Sequence, residues 1–326
     1  MPKIHEKGNQ MNRIYSILLI VLMISVFCQS REVDISLKLK KGDSFRFSIV
    51  TNSNIMQEMN SQKNETTSKM TLITVQTVDS VFSNGDYQIA MYYDSLQNEI
   101  ANSLIQNKQQ DELSQILNKT IVGKKFYMRI TPKWKVLDIS GVDEMMRNML
   151  DKIMENEQFK ANAQVKPMME EFFKKNLSKD NFTKMFQHIS GAFPDAPVKV
   201  GSTWNHDIVI DVGIAPINMK NIYRLKKIED GRLIIALESS VIKNEKAEPT
   251  KIGPVEMLLQ MEGTQTGDII LDSKNCWMKE MALDQKMDGT MKMKVAKGDQ
   301  IQEMNIPMEI KTKVLMATIN GDDAVR

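Results

Sequence analysis

Two cysteines and three histidines in 326 residues leave little from which to build a disulfide framework or a zinc site. Zinc sites draw several His or Cys ligands at close spacing. His188 and His206 each stand without a second histidine at i+2 or i+4. Cys28 and Cys276 are far apart in the chain, so stability must come from a hydrophobic core. Catalytic signatures are missing too. There is no nucleophile elbow, phosphate loop, HExxH helix, dinucleotide glycine fingerprint or twelve-residue calcium loop. His188 shares a helical segment with Phe182, Phe186 and Ile189 and reads as structural, while His206 reads as an exposed strand residue. Asp207 beside it completes no triad, because no activated nucleophile can be named. No catalytic residue, cofactor or metal is expected.

Charge of one sign is also lacking. Of 43 basic and 41 acidic side chains, Lys3, Lys7, Arg13 and Glu6 precede residue 28, so the remainder balances at 40 of each. A nucleic-acid binder needs a basic field over its contact surface, and the bulk charge supplies none.

Long apolar runs are absent except for one. Arg13 precedes residues 14–27, which are interrupted only by Tyr15, Ser16 and Ser25 and end at Cys28. About 14 residues is short of the roughly 20 that a spanning helix needs, and suits an export signal. The expected outcome is a cell-envelope protein anchored to the membrane through a lipid on Cys28 and facing the periplasm. A soluble periplasmic or secreted form is the alternative.

What the chain has in quantity is alternation. Phe45, Phe47 and Ile49 alternate with Ser44, Arg46 and Ser48, the pattern of a strand wet on one face. Residues 70–81 and 87–93 flank the turn Asn84-Gly85-Asp86, and residues 126–130 and 133–139 flank Thr131-Pro132. Residues 52–68 are polar and read as a hairpin tip or loop, and 95–119 as weakly helical at best. The period then changes to 3.6. Met145, Met146, Met149, Leu150, Ile153 and Met154 form one stripe, Met168, Met169, Phe172, Phe173 and Leu177 a second. A third segment runs from the cap Ser178 to Gly191. Twenty-six methionines in all suit irregular cores or adaptable binding surfaces, and these stripes read as packing rather than a copper site. From Pro197 alternation returns, with turns expected at Asp230-Gly231 and Asp288-Gly289 and a last strand over 304–318.

The two alternating stretches echo each other. LKKGDSFRFSI (39–49) compares with VKVGSTWNHDI (198–208), residues 70–95 with 219–240, and 130–139 with 270–281. The expectation is an α+β fold, mainly antiparallel β. Two similar curved sheets or half-barrels would sit either side of a block of short amphipathic helices. The segments are 1–28 (signal), 29–142 (first β-rich unit), 143–192 (helical block) and 193–320 (second β-rich unit).

The block FPDAPVKVGSTWNHDI (193–208), with a signal ending in Cys28, resembles an uncharacterised family of Bacteroidota cell-envelope proteins. Many of its members are predicted lipoproteins with a domain of unknown function. The likeness runs roughly from Val33 to Ile319 and implies location and fold, with no catalytic residues. The expected role is non-enzymatic: structural or protein-interacting in the envelope, or alternatively the binding and carriage of a lipid or other hydrophobic ligand. An enzyme of unknown type is a further alternative.

Overall fold

The structure, a computed structural model, describes residues 32–59, 62–102, 115–116, 118–155, 179–211, 216–252, 255–297 and 300–319. Cys28, the apolar run before it and the second expected stripe at 168–177 lie outside the described residues.

Alternation does produce strands. β1 (Ser44–Met59), β2 (Gln62–Val81), β3 (Tyr87–Asn102), β4 (Lys125–Ile130) and β5 (Val136–Ser140) form an antiparallel meander. Then come α1 (Val142–Glu155), α2 (Lys179–Gln187) and a 3-10 turn (His188–Ala192). A second meander follows: β6 (Thr203–Asn205), β7 (Ile208–Asp211), β8 (Pro216–Glu229), β9 (Arg232–Ile242), β10 (Thr250–Ile252), β11 (Val255–Asp272), β12 (Met278–Lys297) and β13 (Gln300–Thr318).

The expected pair of sheets is a single sheet. β1 and β13 pair antiparallel from Phe47↔Thr318 to Gln57↔Met308, fusing the meanders into the order β5-β4-β3-β2-β1-β13-β12-β11-β9-β8-β6. Among the described residues no helical block separates two layers. β1 and β13 each present a full row of backbone donors and acceptors, and pairing satisfies both rows without leaving two exposed edges. The helices lie between the meanders in sequence only. α2 packs against β5 and β7, at opposite edges of the sheet, and Lys179 pairs with Asp138 at 2.5 Å. α1 buries Met145, Met149 and Ile153 of the expected stripe, together with Val142.

At one end the sheet curls shut. Trp134 lies in the β4–β5 turn and Trp277 just before β12, five strand spacings away. In a flat sheet that is about 24 Å; the two rings are 5.0 Å apart. Phe45 stacks on Trp277 at 4.2 Å, and Phe193 lies 6.0 Å from Trp134. The segment 33–39 plugs this end with Ile35, Leu37 and Leu39 buried. Leu37 N donates to Pro132 O (2.8 Å) and Lys38 N to Asn275 O (3.0 Å), so neighbouring residues tie down both closing turns.

The internal echo is visible in the hydrogen bonds. Lys40 N donates to Asp43 Oδ2, Gly42 N to Val78 O and Val78 N to Asp43 O, each at 2.8 Å. In the second meander Lys199 N donates to Ser202 Oγ (3.2 Å), Gly201 N to Leu225 O (2.8 Å) and Leu225 N to Ser202 O (3.1 Å). Gly42 and Gly201 both have φ +91°, a conformation that a Cβ disfavours.

Curling also presses β11 against β12. A Cβ on Gly267 would fall 1.9 Å from Ala282 O, and one on Gly289 2.1 Å from Gln260 O. Gly289, expected in a turn, instead lies mid-strand, and β12 runs through it unbroken. Gly267→Ala is expected to destabilise the fold by about 1–3 kcal/mol through overpacking, read from the urea midpoint. An unchanged midpoint would mean that the strands are not in such close contact.

Candidate functional site

Antiparallel register aligns side chains into rows that cross the sheet. On the inner face the first row above the closed end is Ile49, Leu72, Met316, Met281, Ile269, Ile235 and Leu225. Two steps further along the strands comes a polar row: Ser53, Ser68, Thr312, Gln285, Gln265, Ser239 and Asn221. Beyond it the face turns apolar again and rich in methionine. Met287 lies opposite Ile310, Gly289 opposite Met308, Met291 opposite Ile306 and Met293 opposite Met304. On β11, Met261, Leu259 and Met257 extend the last three of these rows. Ile306 and Met261 are buried, whereas Met257, Leu259, Met291, Met293, Met304 and Met308 are half-buried.

No Lys, Arg, Asp or Glu stands at any of these inner positions. The charges occupy the opposite parity: Glu256 and Glu262 on β11, Asp284, Lys286, Lys292 and Lys294 on β12, Glu309, Lys311 and Lys313 on β13. There they pair across the water-facing surface, Lys294 with Glu303 at 2.8 Å and Lys313 with Asp284 at 3.2 Å. The polarity is the reverse of a membrane-spanning barrel, whose outer face is apolar and whose lumen is polar.

The polar row is held in part by its own members, Ser53 Oγ and Thr312 Oγ1 lying 3.2 Å apart. At its other end Asn221 and Ser239 are only 2% and 5% exposed, and neither Asn221 Oδ1 nor Ser239 Oγ has a hydrogen-bond partner. Sequence reading missed this row. Its signal was one Ser, Thr, Asn or Gln of inward parity in each of several strands, legible only once register is known.

Of the cavities that flank the sheet among the described residues, two lie against the rows described above. One of about 170 Å³ lies at the closed end, between Phe186 and Ile189 on the helical side and Phe47, Leu72, Met91, Tyr93 and Met316 on the sheet, with Gln76 and Trp134 also lining it. Burial raises the Tyr93 pKa to about 12, so its phenol stays neutral. The other is a groove of about 770 Å³ on the outer face, running across five strands. One wall carries Glu99, Lys69, Asn52, Lys313 and Asp284, the other Ala101, Thr67, Asn54, Lys311 and Lys286.

The candidate residues from the sequence do not converge on chemistry. His188 is half-buried with neither ring nitrogen partnered, and His206, half-buried rather than exposed, has Nε2 3.4 Å from Ser190 Oγ. Burial, with the nearby His206, holds the His188 pKa below the usual 6.5. The unfolded chain therefore takes up a proton that the folded chain resists. Stability is full above about pH 6.5 and falls as pH drops through the lowered folded value. Urea midpoints at about pH 7.5 and pH 5.5 should show this loss, and His188→Leu should reduce it; an equal slope in both proteins would contradict the assignment. Cys276 is a free, buried thiol whose pKa burial pushes up, an unreactive environment. Among the described residues no three His, Cys, Asp or Glu side chains gather as metal ligands, and no helix is long and apolar enough to cross a membrane.

No curated protein shows significant sequence similarity to this chain. Among solved structures, the COG4313 outer membrane channel from Pseudomonas putida F1 aligns over 87% of this chain and 98% of its own, at 6% identity and a TM-score of 0.28. The outer membrane protein OprG from Pseudomonas aeruginosa aligns over 86% and 97%, at 6% identity and a TM-score of 0.19. The beta domain of the Bordetella autotransporter BrkA aligns over 85% and 99%, at 8% identity and a TM-score of 0.21. At these scores the likenesses bear on neither fold nor function. A family match, by contrast, spans residues 84–278, more than half of the sequence. The chain belongs to DUF6263, a family of unknown function.

Proposed function

We propose that this chain is a non-enzymatic protein of the cell envelope that binds an uncharged lipid, or a hydrophobic ligand like one, on the concave face of its sheet. The observation that carries the reading is the segregation of charge by parity. On β11–β13 the long strands place the Asp, Glu and Lys side chains named above outside and leave a methionine-rich, half-buried inner face. Thioethers are flexible and polarisable, and suit a chain that lacks a fixed shape. A charged ligand would have to shed its hydration with no counter-charge to meet it, so the face selects neutral molecules. The apolar run ending at Cys28, and the resemblance to envelope lipoproteins of Bacteroidota, support export and anchoring through a lipid on that cysteine.

Titration of the delipidated protein with a fluorescent diacylglycerol tests the reading. Saturable one-to-one binding, displaced by unlabelled diacylglycerol and not by a charged detergent, is the expected result. No binding would overturn it.

The outer groove favours a second reading, a protein-interaction role, because it spans five strands and mixes charge with hydrogen-bonding side chains. Under that reading Lys313→Glu abolishes capture of the partner and leaves diacylglycerol binding unchanged.

A further inference from the structure

Where the chain enters the fold decides which part of it meets a membrane. Val33 is fixed at the rim of the closed end: its N–H donates to Val198 O (2.7 Å), and Val198 N donates back to Val33 O (3.0 Å). Ile35, Leu37 and Leu39 follow it into the core, so the segment cannot be drawn out without exposing them. Val33 stands five positions after Cys28, where the apolar run of residues 14–27 ends. Five fully extended residues reach at most about 18 Å. An anchor formed by an acyl chain on Cys28, or by the apolar run itself, therefore keeps Val33 within that reach of the bilayer.

The connections that share this end with Val33 present apolar side chains to solvent. Val81 and Phe82 lead into the β2–β3 turn, Val200 lies in the turn before β6, and Ile228 precedes the β8–β9 turn; all four are more than a third exposed. Phe82 is held in place, its N–H donating to Asp86 O (2.9 Å) and the Arg129 guanidinium lying 4.5 Å over its ring. Lys40, Lys41, Lys135, Lys199 and Lys274 stand exposed on the turns of the same end. Glu32, Asp195 and Asp230 are exposed there too, so charge alone gives this end no strong field. Exposed apolar surface alone does not single it out either, because Ile301 is 69% exposed at the opposite tip of the sheet. The tether decides between the two ends. Ile301 stands 17 residues before Thr318 on β13, roughly 55 Å further along the strand.

We infer that the closed end is a membrane-contact surface, with Val81, Phe82, Val200 and Ile228 resting in the headgroup region of a phospholipid bilayer and the methionine-rich rows turned away from it. The inference rests on the reading that the chain is anchored at Cys28 or just before it. Apolar side chains gain by leaving water for the boundary of headgroups and acyl chains, while the lysines beside them keep their ammonium groups among the phosphates. Four such side chains orient a chain that is already anchored and do not recruit a free one.

Depth-dependent quenching tests this. The full-length protein, anchor included, is reconstituted into vesicles of phosphatidylcholine and phosphatidylglycerol, with a thiol-reactive fluorophore on Phe82→Cys, Val200→Cys or Ile301→Cys. The unaltered protein, treated in parallel, supplies the background from Cys28 and the buried Cys276. Brominated phospholipid is expected to quench the fluorophore of Phe82→Cys and Val200→Cys and to leave that of Ile301→Cys unchanged. All three positions are exposed, and each closed-end variant stands in for the other should one fold poorly. Quenching at Ile301 alone, at all three alike, or at none in a protein that sediments with the vesicles overturns the inference and leaves anchoring intact. A full-length protein that does not sediment with vesicles overturns the anchoring reading itself, and the inference with it.

Discussion

Trp277→Ala is expected to lower the free energy of unfolding by about 3–5 kcal/mol. Trp277 is 2% exposed and touches Phe45, Phe47 and Trp134, which belong to β1 and to the turn after β4. The substitution therefore does more than open a cavity in one layer. It removes the contact by which the turn after β4, near one edge of the sheet, meets the start of β12, five strand spacings away, and the surrounding backbone is too constrained by the plug at 33–39 to collapse into the space. Urea unfolding followed by fluorescence of the remaining tryptophans gives the number. A loss below about 1 kcal/mol would be that of a half-exposed side chain, and would mean that the sheet is not closed at this end.

The second large effect is functional. Met291→Lys is expected to weaken diacylglycerol binding by at least about 100-fold, because an ammonium on an uncharged, half-buried face has no partner and must keep its water. The neighbouring Lys292→Met makes the opposite change on the opposite face, and is expected to leave affinity within about twofold, since one step along a strand reverses the side-chain direction. Parallel titrations of the two variants decide between a ligand held inside the curve and one held outside. Equal losses, or a loss only in Lys292→Met, would place the ligand on the outer face.

Much of the sheet was legible because alternation is a direct trace of a face that is wet on one side. Phe45, Phe47 and Ile49, or Met304 to Met316 at every second residue, need no tertiary context to read as strands. The errors fall where that trace is interrupted for reasons of curvature and function. Residues 52–68 read as a hairpin tip or loop because Ser53 and Ser68 put polar atoms at inward positions; a hairpin it is, but the paired strands β1 and β2 run on to Met59↔Gln62, so the tip is far shorter than the pattern suggested. Gly289 looked like a turn because glycine usually marks one, but here it is demanded by Gln260 O pressing from the next strand. Local pattern matched the two meanders correctly, as the paired turns at Gly42 and Gly201 show. It could not show that the first strand would pair with the last, since that contact spans almost the whole chain and leaves no periodic signal. The same holds for the candidate sites. A methionine stripe looks alike whether it packs a helix or lines a concave face, and only register separates Met291 from a core residue.

The most direct test of the uncharged concave face is native mass spectrometry of the full-length protein extracted gently from membranes. The account predicts a bound neutral lipid that remains with the unaltered protein, is missing from Met291→Lys, and is distinct in mass from any acyl group on Cys28. Recovery of the protein free of lipid, or carrying an anionic lipid equally in both forms, would contradict it.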